Sequence, residues 1–206
     1  MKKINFKILV ITSIVCLLPI VLGLAVYNEL PEIVATHWGI DNTPNGFMPK
    51  TVFVFAIPIF MMLMQIFLCV ITDVFDKYKE VNKKATSVCK WIIPIITVIL
   101  YIATISYALG HMVDIRAVAM LMVGIILIVI GNYIPKTKGH NYLNIGVVMS
   151  DDAYNKCRKP VAYTMILTGV LSIISIAFKP IVSAVVIILF IIGMIGIMIY
   201  SQIKYK

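Results

Sequence analysis

The amino-acid sequence predicts an all-α, polytopic transmembrane bundle of six helices with the N-terminus and the C-terminus both cytoplasmic. Three observations carry that prediction. Of the 206 residues, 61% are hydrophobic and only 13% charged, whereas soluble domains carry about 25% charged residues. Apolar runs recur at residues 8–27, 52–72, 91–110, 117–134, 161–178 and 181–200. Each has close to the ~20 residues that cross a ~30 Å hydrocarbon core as a helix. Lysine and arginine are distributed unevenly between alternate connections, which sets the orientation.

With the N-terminus inside and six crossings, the inner side holds Lys2, Lys3, Lys7, Lys77, Lys79, Lys83, Lys84, Lys90, Lys136, Lys138, Lys156, Arg158, Lys159, Lys204 and Lys206. The outer side holds only Lys50, Arg116 and Lys179. The net charge of +9 therefore acts in topology and in attraction to anionic membrane lipids, at about 1 kcal/mol per juxtamembrane cation. None of the polar pieces between the runs approaches the ~50 residues of a self-standing domain, so no basic soluble surface for nucleic acid is expected. The chain reads as a single integral membrane domain, 1–206.

The first run follows a basic start (Lys2, Lys3, Lys7) that suits a signal peptide. It is longer than a signal peptide's apolar stretch, and no A-x-A site follows it. Val15, before Cys16, is too bulky for lipoprotein cleavage, so this run is expected to remain as a span. Residues 28–50 then form the one sizeable polar stretch on the outer side. They include Glu29, Glu32, His37, Trp38 and Asp41, with turn chemistry at Pro44-Asn45-Gly46. Trp38 and Phe47 are expected to pack this loop on the bundle, with His37 bonded to backbone.

Residues 73–90, after the second run, are expected to prolong that helix into the cytoplasm. Asp73–Lys77 and Glu80–Lys84 have the favourable i,i+4 order for a solvated helix end. Pro19, Pro58 and Pro94 sit inside the first three runs, and the last three have no interior proline. Gly124, Gly131, Gly193 and Gly196 offer close helix approach. Thr164, Thr168, Ser172 and Ser175 offer interhelical hydrogen bonds. Cys16, Cys69, Cys89 and Cys157 fall in runs or on the reducing side, so neither a structural disulfide nor a cysteine zinc site is expected.

No Asp, Glu, Lys, Arg or His lies well inside a run. Ion-coupled pumps carry such groups to bind the coupling ion, and intramembrane hydrolases need an activated nucleophile or metal ligands. The sequence thus argues against catalysis and ion-coupled transport, and no cofactor is expected. His37, His111 and a carboxylate could in principle meet at the outer face, where imidazole and carboxylate suit zinc. No ligand spacing supports that arrangement.

The segment LPEIVATHWGIDNTPNGFMPK resembles the small domain that opens many SdpI-type bacterial proteins. Their pattern is LP, a spacer, T-H-[FW], a glycine-containing turn, P-[DN]-G and a lysine. Leu30, Pro31, Thr36, His37, Trp38, Pro44, Asn45, Gly46 and Lys50 stand in that order. A second stretch, GNYIPKTKGHNYLNIG, resembles the same family's segment after the fourth span. It does so through Gly131, Asn132, Tyr133, Pro135, Lys136, Lys138, Asn141, Tyr142 and Gly146. Beyond Gly146 the chain departs, lacking the family's arginine, proline and tryptophan; Tyr154, Lys156 and Arg158 occupy that region. By this resemblance, residues 28–75 are a family-type N-terminal segment and residues 117–200 an SdpI-like C-terminal half.

The resemblance implies an immunity protein of the bacterial cytoplasmic membrane that binds a secreted antimicrobial toxin peptide at its outer face without catalysis. His37, Trp38, Pro44, Asn45, Gly46 and Lys50 are then the candidates for toxin binding or loop ordering. Asn132, Pro135, Lys136, Lys138, Asn141 and Gly146 form the inner-face motif. Two other functions remain open. One is a transporter or exporter without ion coupling that uses the proline-containing half. The other is a signalling protein that docks a cytoplasmic repressor through residues 73–90 and 135–160.

The orientation has a direct check. With the native cysteines replaced, Thr43→Cys should react with a membrane-impermeant maleimide in intact cells. Asn82→Cys and Gln202→Cys should react only after permeabilisation, and the reverse pattern would overturn the assignment.

Overall fold

The computed structural model describes residues 4–75, 83–136 and 151–204. Six helices dominate them: α1 (Phe6–Ala25), α2 (Lys50–Phe75), α3 (Lys83–Ala108), α4 (Ile115–Tyr133), α5 (Asp151–Ser175) and α6 (Pro180–Lys204). All six are long and apolar enough to cross a membrane. Strands β1 (Ile33–Trp38) and β2 (Pro44–Pro49) pair antiparallel between α1 and α2. A 3-10 turn, Ile134–Lys136, follows α4. The protein is a multi-pass helical membrane protein, with one small sheet among the described residues.

Apolar runs mark the part of a helix that suits hydrocarbon, and backbone hydrogen bonding continues past them. α3 starts eight residues before the apolar run, at Lys83, and α5 ten residues before it, at Asp151. Two expectations change as a result. Pro160 lies inside α5, so interior proline is not confined to the first half. Residues 73–90 are shared between the end of α2 and the start of α3 and do not prolong α2 alone. Lys77 and Glu80, from the expected i,i+4 pairs, lie outside the described residues. Lys90, assigned to that polar segment from its neighbours, is inside α3 and only 2% exposed.

The described residues form two compact units. One contains residues 4–71 and 90–119; the other contains 72–75, 83–89, 120–136 and 151–204. In the first unit, Leu30, Val34, Phe53, Val54, Tyr101 and Ile105 make a core beneath the hairpin. Phe53 and Tyr101 stack with centroids 4.6 Å apart and planes 8° from parallel.

Deeper in the same unit, α1, α2 and α3 meet at Gln65, which is fully buried. Its Nε2 donates to Thr12 Oγ1 at 2.8 Å and to the Lys90 carbonyl at 2.8 Å, with Cys69 Sγ at 3.1 Å. The Thr12 hydroxyl donates in turn to the Ile8 carbonyl at 2.7 Å. The Lys90 carbonyl is one that α3 cannot satisfy itself. Its helical donor would be the amide of residue 94, and residue 94 is proline. Gln65 supplies the missing donor, because a freed carbonyl in an apolar medium must find another partner.

In the second unit, α4 and α5 pack through a glycine seam. A Cβ on Gly124 would lie 2.7 Å from the Gly169 carbonyl oxygen, and one on Gly169 would lie 2.6 Å from that of Gly124. One heptad along, a Cβ on Gly131 would lie 2.9 Å from the Ala162 carbonyl oxygen. Gly124 and Gly131 therefore act as expected, and Gly169 is the partner that the sequence reading did not single out. Gly193 and Gly196 are not crowded: a Cβ on Gly196 would meet open space, and one on Gly193 would make ordinary contact with Thr164 Cγ2 at 3.5 Å. Of the four predicted hydroxyl donors, Ser175 bridges helices. It lies 2.9 Å from Ser183 Oγ of α6 and bonds the Ser172 carbonyl at 2.7 Å.

The Gln65–Lys90 pairing predicts a coupling. Gln65→Leu should destabilise the protein by about 1–3 kcal/mol, the usual cost of a buried acceptor left without its donor. In a Pro94→Ala background the helix can supply that donor itself, so the cost of Gln65→Leu should fall by about 1 kcal/mol. Chemical unfolding of the four proteins in one detergent measures this, and equal costs in both backgrounds would sink the account.

Candidate functional site

The hairpin end of the first unit collects the six outer-face candidates, His37, Trp38, Pro44, Asn45, Gly46 and Lys50. The hairpin turns at residues 39–43, one step earlier than the Pro44-Asn45-Gly46 expectation. The Gly39 amide donates to the Thr43 carbonyl at 2.8 Å, and the Asn42 amide to the Gly39 carbonyl at 3.0 Å. Asn42 takes the left-handed conformation with φ 64°, which asparagine tolerates better than most residues. Asp41 locks the turn by accepting from the Thr43 hydroxyl at 2.7 Å and the Thr43 amide at 3.2 Å. These bonds, the hydroxyl's first, hold the Asp41 carboxyl below the usual aspartate range.

Pro44, Asn45 and Gly46 therefore lie in β2. Gly46 is needed for a different reason than a turn. It stands opposite His37, where the ladder is irregular, and a Cβ there would come within 2.7 Å of His37 Cβ. His37 bonds through Nδ1 to the side-chain Oδ1 of Asn45, not to backbone as expected.

Five contacts tie the hairpin down. At its base, Lys50 Nζ meets Glu32 Oε1 at 2.9 Å and lies 4.9 Å from the centre of the Tyr27 ring. The Tyr27 hydroxyl is 2.7 Å from Thr51 Oγ1. At its tip, Trp38 packs edge-on against Tyr107 of α3 with centroids 5.4 Å apart. Asn42 Oδ1 accepts the Arg116 amide at 3.0 Å, in the first turn of α4. Asp114 Oδ1 accepts the Ala117 amide at 2.9 Å, so α4 has an aspartate cap and an asparagine cap supplied from the hairpin.

Trp38 anchors the hairpin as expected, but Phe47 does not. Phe47 pairs with Ala35 on the outer face and is 58% exposed, while Val34 and Met48 take the inner face. The alternation of a strand forces that choice, because Met48 and Phe47 cannot face the same way. Ile33 (61% exposed) and Ile40 (62%) also lie on the surface.

Beside the tip, Asn42, Tyr107, Gly110, His111, Met112, Val113 and Asp114 line an open cleft of about 620 Å³. Asp114 is paired with Arg116 at 3.2 Å. His111 lines this cleft and His37 does not. Among the described residues, no group of three or more His, Cys, Asp or Glu side chains is placed to hold a metal ion.

The second predicted motif falls elsewhere. Asn132 is exposed near the end of α4 and accepts from Lys136 Nζ at 3.3 Å, while Pro135 sits in the 3-10 turn. The Lys136 ammonium is 5.3 Å from the Tyr133 ring centre. Lys138, Asn141 and Gly146 lie outside the described residues.

Residues 14–62 match a domain of unknown function, DUF1648. The match takes in most of α1, the whole hairpin and the first half of α2, and so includes His37, Trp38, Pro44, Asn45, Gly46 and Lys50. No curated protein and no solved structure matches the chain. Asn42, which both shapes the turn and caps α4, was missed from sequence; an asparagine before a Thr-Pro step was the available signal.

The close pairing of Gly46 and His37 gives a test. Gly46→Ala should force the strands apart at a cost of about 1–3 kcal/mol, and Trp38 at the tip should report it by a red-shifted, more quenchable emission. An unchanged Trp38 spectrum would show that the approach is not tight.

Proposed function

We propose that this protein is an immunity protein of the bacterial cytoplasmic membrane. It protects its cell by binding a secreted antimicrobial peptide at the hairpin end, without catalysis. The observation that carries this is the hairpin itself. An isolated two-stranded hairpin is marginal in water, yet this one is held at base and tip and still displays Ile33, Ile40 and Phe47 outward. Such a surface, ordered by the bundle and not itself part of the core, suits recognition.

Charge favours a cationic amphipathic partner. Glu32 and Asp114 are paired with Lys50 and Arg116, while Glu29 and Asp41 have no ion pair among the described residues. The resemblance to SdpI-type proteins, carried by residues 30–50, supports the same function. The orientation drawn from the lysines would put this end outside the cell.

Expression in a sensitive bacterium, followed by exposure to the secreted peptides of the source strain, tests the proposal. Survival should rise at least tenfold with the wild-type chain. It should fall back towards the control with a Phe47→Ala/Ile40→Ser double variant at matched membrane levels. Unchanged killing at confirmed expression of the wild type would reject it.

A further inference from the structure

We propose that the groove between α5 and α6, near the start of α5 and the end of α6, binds an anionic phospholipid of the surrounding bilayer. The groove lies in the second unit and does not depend on the immunity function. Its floor is made by two glycines that no neighbouring atom crowds. A Cβ on Gly196 would meet nothing within 4 Å, and one on Gly193 would meet only Thr164 Cγ2, at 3.5 Å. The seam glycines of the α4–α5 contact are opposite in this respect, since a Cβ on any of them would collide with a neighbour.

Over this floor lies a cavity of about 480 Å³, lined by Lys156, Cys157 and Pro160 from α5 and by Gly193, Gly196 and Tyr200 from α6. That volume lies in the range of small-ligand sites. α6 has little protein over it: of its apolar window only 6% is buried within the chain. The groove therefore opens on a helix whose surface suits hydrocarbon, and a bilayer's acyl chains are the material at hand to fill it.

The polar and apolar parts of the groove follow the order of a phospholipid. Towards the end of α6, Lys204 Nζ donates to the Tyr200 hydroxyl at 2.6 Å and lies 5.1 Å from the ring centre. α5 runs the other way, so Lys156 comes to the same end of the groove as Tyr200. The first ten residues of α5 carry Lys156, Arg158 and Lys159 against Asp151 and Asp152, and α6 has no acid along its whole length and ends with Lys204, so cations exceed acids at this end. Basic pockets between transmembrane helices are the sites that hold anionic headgroups. The glycine floor and Pro160, further in, offer an apolar bed for one acyl chain. A soluble phosphate could use the cations but would gain nothing from that bed, so the lipid is the occupant that uses both.

The test uses the purified full chain in a mild detergent, with dioleoyl phosphatidylglycerol and dioleoyl phosphatidylcholine as probes and native mass spectrometry to count bound lipid. Phosphatidylglycerol should be retained several-fold better than phosphatidylcholine. Gly196→Leu, whose Cβ has open space and whose longer side chain would occupy the groove, and Lys156→Gln should each lower that retention several-fold at an unchanged melting temperature in detergent. Lys156→Arg should restore it. Equal retention of the two lipids, or full retention by Gly196→Leu, would overturn the proposal. So would a change in oligomeric state with Gly196→Leu at unchanged lipid binding, which would assign the groove to a second copy of the chain.

Discussion

The packing of α1, α2 and α3 turns on one amide. Pro94 leaves the Lys90 carbonyl without its helical donor, in a medium where no water replaces it. Gln65 reaches across from α2 to bond that carbonyl and takes Thr12 of α1 with its second hydrogen. A carbonyl can only accept, so the orientation of the Gln65 amide is dictated and the three helices are held in one register. The defect introduced by the proline thus becomes the point where the helices recognise each other. A leucine at position 65 could pack there, but it could not specify the same arrangement.

The hairpin obeys the same accounting at the helix ends. α4 begins with amides that its own carbonyls cannot reach. Asp114 caps one from the preceding residues, and Asn42 caps another from the hairpin turn. The turn residue that must adopt a positive φ is thus also the residue that fastens the hairpin to α4. Together with Trp38 on Tyr107 and Lys50 on Glu32, this holds a two-stranded element that could not stand alone. The hairpin is then left with Ile33 and Phe47 exposed on its outer face and Ile40 exposed at its turn.

Much of this was legible in the sequence where composition alone decides. Six apolar runs became six helices, and Trp38 became an anchor. Gly124 and Gly131 became a close seam. The failures have physical causes. Helix starts at Lys83 and Asp151 were missed because hydropathy follows solvent, whereas helices follow backbone hydrogen bonds. Asn45-Gly46 looked like the turn because local propensity favours it, but Asp41 and Asn42 close the loop first and leave Gly46 to pass beside His37. Gly193 and Gly196 looked like a packing motif, yet neither is crowded by the facing α5 as the seam glycines are by their partners.

By itself, the sequence determined that this chain is a multi-pass membrane protein without charge deep in its apolar runs, because transfer energies summed over about 20 residues dominate any local detail. It also marked the hairpin segment as unlike the rest. Only the tertiary structure decided which carbonyl Gln65 would satisfy, which turn residue would cap α4, and which face of β2 would look outward. Those outcomes depend on pairs of groups from distant parts of the chain meeting within hydrogen-bond distance. No single stretch of sequence contains that information.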